Sequence, residues 1–164
     1  RMTMKRLLLL RPAALAVLVQ ASLTTGASAQ DLKVFGTWLT ASGTAQIKIV
    51  SCSDAASGPL CGFVVGLKDP KGPDGKSVPP EEATDFRNGD PKLRERKVIG
   101  MPLIWGFKKT ADANAFEGGQ IYNGEDGKIY SANIDLEADG RLKLRGYVGS
   151  PMFGQTQYWT RVSQ

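Results

Sequence analysis

The chain predicts an all-β fold: an eight-stranded antiparallel up-and-down barrel with a long, partly helical insertion between strands 3 and 4. Three observations lead there. Short apolar or alternating runs recur from Phe35 to Val162 with turn residues between them. Most connections are short, which makes successive strands antiparallel neighbours. A meander of eight strands closes into a barrel or folds over as a sandwich, and the barrel is the reading taken.

Residues 1–29 stand apart from this pattern. They carry Arg1, Lys5, Arg6 and Arg11 and no acid, then an apolar run over Ala13–Val19, and end in Ala27-Ser28-Ala29. That order of positive, apolar and small-x-small segments is a cleavable signal peptide. The apolar run after Pro12 is too short for a span, which needs about 20 residues. The natural start is then Met2 or Met4, and residues 30–164 form a single domain. Of 21 basic and 16 acidic residues, four bases and no acid fall in residues 1–29; this leaves 17 bases against 16 acids, a net charge of +1. Nucleic-acid binding needs a basic excess that is absent. No lipid-attachment Cys or second membrane-length run follows, so no integral membrane anchor is expected and the destination is periplasmic or secreted.

The strands are expected, in order, at Phe35–Thr40, Ala45–Val50, Gly62–Leu67, Leu103–Lys108, Glu117–Tyr122, Lys128–Leu136, Arg141–Val148 and Thr156–Val162. Tyr130, Ala132, Ile134 and Leu136 share one face, with Ser131, Asn133 and Asp135 on the other. Leu142 and Leu144 likewise oppose Arg141, Lys143 and Arg145. Asp126-Gly127 and Asp139-Gly140 are hairpin signals. Cys52 and Cys61 are the two cysteines of the chain. An even pair in an oxidising compartment reads as a disulfide, and closing so short a loop is worth about 2–3 kcal/mol in the chain-entropy model.

From Lys68 to Gly100 the chain is polar, Pro-rich and charged. Asp90-Pro91 followed by Lys92-Leu93-Arg94-Glu95-Arg96 predicts a short capped helix, with Asp as N-cap and Pro in the first turn. A connection of this length serves as a lid or is a solvated flap. The segment Asp85–Arg96 is read as a lid over the barrel mouth, with one of Arg94 and Arg96 paired internally and the other facing a ligand anion.

Gly36-Thr37-Trp38 on the first strand and Trp159-Thr160-Arg161 on the last resemble the lipocalin pattern. There a Gly-x-Trp packs at the closed end of the barrel against a late Arg, which implies structural roles for Gly36, Trp38 and Arg161. A fuller set resembles the bacterial domain-of-unknown-function 2147 family. It comprises Cys61-Gly62, Asn88-Gly89-Asp90-Pro91 with Arg94 and Arg96, Gly118-Gly119-Gln120-Ile121-Tyr122 and Gly127-Lys128-Ile129-Tyr130. Leu144 to Gly149, Gly154-Gln155-Thr156-Gln157 and Trp159-Thr160-Arg161 complete it. The family is similar to lipocalins, is exported and has no assigned activity. One departure is Gly89, where the family usually has Pro.

The chain has no histidine. This removes Ser-His-Asp and Cys-His catalysis and His-ligated zinc. Lys71 to Ser77 ends like a phosphate loop, but Pro70 replaces its first Gly and Pro79-Pro80 bar the following helix. Asp69 and Asp74 lack the alternating oxygen ligands of a calcium loop. No cofactor or metal is implied. Asp85, Asp90, Glu117 and Asp135 are the carboxylates from which a hydrolytic pair would have to come, without a spacing that selects two. Trp105, Phe107, Phe116, Tyr122 and Tyr130 are core residues or the lining of an apolar pocket. The expected function is binding of a small apolar or amphipathic ligand, or of an envelope component, through Trp105, Phe107, Tyr122, Tyr130, Arg94 and Arg96. A carboxylate-dependent envelope hydrolase and a filled barrel serving as an interaction module are the alternatives.

Overall fold

Nine short strands form where side chains alternate between core and solvent: β1 (Gly36–Leu39), β2 (Ala45–Val50), β3 (Cys61–Leu67), β4 (Pro102–Trp105), β5 (Lys108–Lys109), β6 (Ala115–Asn123), β7 (Lys128–Leu136), β8 (Leu142–Tyr147) and β9 (Gln155–Ser163). The computed structural model describes residues 32–164. The expected signal sequence, residues 1–29, lies outside the described residues. The strands form one antiparallel sheet in the order β4-β3-β2-β1-β9-β8-β7-β6-β5, and a further β4–β6 pairing closes it into a barrel. Both β4 and β5 lie against β6, at Ile104↔Ile121 and Lys108↔Glu117, so the two are one interrupted stave and the barrel has eight. Register shifts in four of the ladders provide the local bending that closure needs.

The fourth strand expected over Leu103–Lys108 is broken for a definite reason. Gly106 takes a φ of 78° and its N–H donates to the Ser57 carbonyl at 2.8 Å. That turn drives Phe107 inward, where its ring lies flat on Gly119; a Cβ there would stand 2.5 Å from the ring. No side chain other than hydrogen fits beneath it.

Antiparallel pairing alternates the connections between two poles. One pole holds the β2–β3 connection, the β5–β6 and β7–β8 turns, and the disulfide Cys52–Cys61, whose Cα atoms are 5.1 Å apart. Trp38, Ile49, Leu60, Phe107, Phe116, Ile134 and Leu142 fill the barrel on this side. Here the Trp38 indole N–H donates to the Val34 carbonyl at 2.9 Å, and the Arg161 guanidinium lies 4.2 Å over the indole ring. Arg161 also donates to the carbonyls of Phe35 and Lys33. Gly36 has a φ of 131°, and a Cβ there would meet the Ser163 carbonyl at 2.5 Å and Arg161 Nη1 at 2.6 Å. The pole is sealed by this packing.

The other pole carries the β1–β2 hairpin, the long β3–β4 insertion, the β6–β7 turn and the β8–β9 loop. The insertion contains single 3-10 turns, Pro80–Glu82 and Pro91–Leu93, and no α-helix, so the expected partly helical character is corrected. Asp90 does cap its turn, accepting the Lys92 N–H at 3.0 Å. The turn cannot propagate because the chain is drawn straight back into extended pairing: Asp85 N–H donates to the Arg96 carbonyl at 2.9 Å and Thr84 bridges Lys97.

Candidate ligand site at the open end of the barrel

Beyond the packed pole the barrel opens into a cavity whose floor is formed by the buried core side chains Ile47, Val64, Leu144 and Trp159. This cavity, of about 970 Å³, opens between the β1–β2 hairpin, the insertion, the β6–β7 turn and the β8–β9 loop. Its wall is apolar: Ile47 of β2, Val64 of β3, Ile121 of β6 and Leu144 of β8, with Met101 and Leu103 at the start of β4 and Trp159 of β9. Ile47, Val64, Ile121, Leu144 and Trp159 occupy inward positions of their strands, whereas Met101 precedes β4 and Leu103 lies at its register break. Small residues make the room. At Gly146 an added Cβ would find its nearest neighbours, Ile121 Cγ2 and the Ser131 carbonyl, 4.0 Å away.

At the rim, Asp85 forms a buried polar cluster. Its carboxylate accepts the Tyr122 hydroxyl, the Asn88 side-chain amide at 2.7 Å and Arg96 Nη2 at 2.7 Å. The Asp85 side chain is 1% exposed and that of Arg96 28%, so the ion pair is closed toward the protein and open on the guanidinium side. Burial, followed by the hydrogen bond to the Asp85 carboxylate, pushes the Tyr122 phenol well above its ordinary value. Tyr130 donates to Asp126 at 2.5 Å, and that bond raises its phenol as well. The insertion is anchored across the rim by a second route. Gly89 N–H donates to the Gly127 carbonyl at 3.3 Å, and a Cβ on Gly127, at φ 71°, would overlap the Arg87 carbonyl at 1.8 Å.

The residues expected to meet a ligand do not gather at one place. Tyr130 lines the cavity, and Tyr122 lies on its rim. Phe107 is buried in the packed half against Gly119. Trp105 points outward, its indole N–H donating to Gln120 at 2.7 Å, and shares an outer groove with Leu93, Arg96, Tyr122 and Ile129. Arg94 is exposed and its Nε donates to the Asn88 carbonyl at 2.9 Å, while Arg96 is the internally paired arginine. The segment Asp85–Arg96 builds one wall of the mouth with Asp85, Phe86 and Arg87 and folds down the outside with Leu93 and Arg96. Among the four carboxylates weighed for hydrolysis, Asp90 is spent on its turn. Glu117 and Asp135 lie toward the sealed pole, with Asp135 3.8 Å from Lys143. Asp69 is engaged by Lys71 at 2.6 Å and by Ser77, and Asp74 by the Lys76 N–H at 3.1 Å.

Residues 36–161 match the bacterial family described as "Uncharacterized protein conserved in bacteria (DUF2147)". The chain belongs to that family. The DUF2147 match begins at Gly36 and ends at Arg161, the two residues that meet at the sealed pole. No curated protein matches the chain. Among solved structures, the barrel is similar to protein HP1028 from the human pathogen Helicobacter pylori, which belongs to the lipocalin family. The TM-score is 0.60 at 22% identity, over 79% of this chain and 82% of that one. At that identity the likeness is one of fold, and the DUF2147 domain is a lipocalin-like barrel. Among the described residues, no helix is long and apolar enough to cross a membrane.

Proposed function

We propose that this DUF2147 chain is an exported binding protein that takes a small apolar or amphipathic molecule, or part of an envelope component, into its barrel. The observation that carries this reading is the cavity at the open end: about 970 Å³ above an apolar floor of Ile47, Val64, Ile121, Leu144 and Trp159, and open at a polar rim. That volume lies within the range of ligand pockets, and apolar walls with a few polar groups at one end suit a tail-in, head-out amphiphile. An interaction module would have no need of an empty interior. Export is supported by the character of residues 1–29 and by a disulfide, which persists in oxidising compartments. Solved lipocalin architecture supports the ligand reading by analogy of fold.

The test uses N-phenyl-naphthylamine, a neutral apolar dye that brightens on leaving water. The chain is expected to bind it with one saturable site, and Gly146→Leu, whose Cβ meets no atom closer than 4.0 Å and whose side chain takes up part of the cavity, is expected to weaken binding. Dye affinity that is unchanged in a folded Gly146→Leu chain would refute the cavity as the site. Native mass spectrometry of protein from its own host should then show adduct mass, and sequencing of that product should begin at or near Gln30. A product retaining Leu7–Val19 overturns the export part of the reading.

A further inference from the structure

The rim of the cavity has two unlike halves. Because β1 pairs with β9, the β1–β2 hairpin and the β8–β9 loop are neighbours at the open pole. Neither carries a charge: residues 40–47 and 146–160 contain no Asp, Glu, Lys or Arg. The facing half, made by the insertion and the β6–β7 turn, holds Lys68, Asp69, Lys71, Arg87, Glu125 and Asp126 around the mouth.

The uncharged half ends in a projecting apolar tip. Val148 is 70% exposed, and Met152 and Phe153 are each 78% exposed. These side chains are held out. The turn Pro151–Phe153 is capped by Ser150, and Arg145 beneath it donates to the Pro151 carbonyl at 2.6 Å and to Thr156 Oγ1 at 2.8 Å. Gly154 seats the loop so closely that a Cβ would lie 2.6 Å from the Gly146 carbonyl. A soluble domain rarely spends such order on exposing three large apolar side chains to water.

We propose that the β8–β9 loop, flanked by the β1–β2 hairpin, docks the barrel mouth onto a lipid bilayer, with Met152 and Phe153 entering the interfacial region. A bilayer is the partner whose chemistry fits. The tip is exposed at the lip of the cavity, which Val148 and Phe153 also line, and a fluid acyl-chain boundary receives exposed apolar side chains without a preformed pocket. The residues of the arc carry no charge to dehydrate on entry, and the charge nearest them, Arg145, is already engaged by the Pro151 and Met152 carbonyls and Thr156. Its lack of basic residues makes attachment independent of anionic headgroups, unlike polybasic adsorption. The docked pose leaves the cavity opening at the membrane surface.

The test measures partition of the full chain onto vesicles of phosphatidylcholine, and of phosphatidylcholine with an equal share of phosphatidylglycerol. The loop's share, read as the difference between the native chain and a serine variant of the loop, is expected to be alike on both and to persist at about 1 M salt, where screening acts within about 3 Å. The double variant Met152→Ser with Phe153→Ser is expected to bind about tenfold or more weaker at an unchanged melting temperature. Beyond the emission of Trp38, Trp105 and Trp159, common to all chains, the added signal of Phe153→Trp should shift to the blue and be quenched by brominated phosphatidylcholine, whereas that of Val162→Trp, exposed on β9 near the sealed pole, should not. All chains share residues 1–31, so the differences read the loop. Unquenched Phe153→Trp, unweakened binding of the serine variant, or adsorption confined to anionic vesicles and lost in salt would overturn the proposal; a protein partner would give the first of these.

Discussion

Asp85 shows how one side chain ties the insertion to the barrel. Its buried carboxylate balances Arg96 and is also bonded by Asn88 and Tyr122, the last reaching in from β6. Removing the cation leaves a buried negative charge without its partner, whereas the exposed Arg94 contributes one side-chain bond to a carbonyl. Allowing for the partial exposure of Arg96, Arg96→Ala should cost about 2–3 kcal/mol by urea denaturation, and Arg94→Ala about 1 kcal/mol or less. Equal losses would show that the pair does not fasten the segment. Tyr122 adds a pH dependence. Its phenol is raised in the folded chain above the ordinary 10.0, so the unfolded chain releases this proton first. The stability it contributes is complete below about pH 10 and is lost as the pH climbs beyond it. Above that pH the melting temperature should fall more steeply in the native chain than in Tyr122→Phe; parallel curves would contradict the assignment. Of this cluster the sequence disclosed the members Asp85, Arg94 and Arg96, but not which arginine pairs. That choice depends on the turn at Pro91–Leu93, whose tightness no local pattern encodes.

At the scale of elements, the strands were legible because each has one wet and one dry face. Tyr130, Ala132, Ile134 and Leu136 do share a side of β7, and Leu142 and Leu144 a side of β8. The hairpins at Asp126-Gly127 and Asp139-Gly140 follow from backbone that favours tight turns. Two features were hidden. Leu103–Lys108 alternates like a strand, and its interruption is set by contacts with Ser57 and Gly119, which are remote in sequence. The ligand wall was missed for a related reason: Ile47, Val64 and Leu144 read as core, and a filled half cannot be told from an open half until each strand's direction is known. The disulfide, by contrast, followed from number and compartment. It sits at the pole opposite the mouth, so replacing Cys52 and Cys61 by Ser is expected to cost about 2–3 kcal/mol while leaving dye affinity as it was. A loss of affinity in the folded, bridge-free chain would mean that the poles are mechanically coupled.

For the whole molecule, packing is divided along the barrel axis. One half is dense with Trp38, Phe107 and Phe116, and the other is open. The dense half supplies stability and the open half leaves room, as a barrel of eight staves can either fill itself or hold one guest. Heating should therefore be a single cooperative transition. A bound apolar molecule is expected to raise its midpoint, by linkage, and at the same concentration by less in Gly146→Leu than in the native chain; equal rises in both chains would place the bound molecule elsewhere.

The first and last staves of the barrel lie side by side, with Thr37 opposite Ser163, at the sealed pole. Anything joined before Gly36 or after Ser163 therefore leaves from the underside, a barrel's length from the opening. Tethered to a sensor surface, a bead or a second protein by either end, the domain presents its mouth outward.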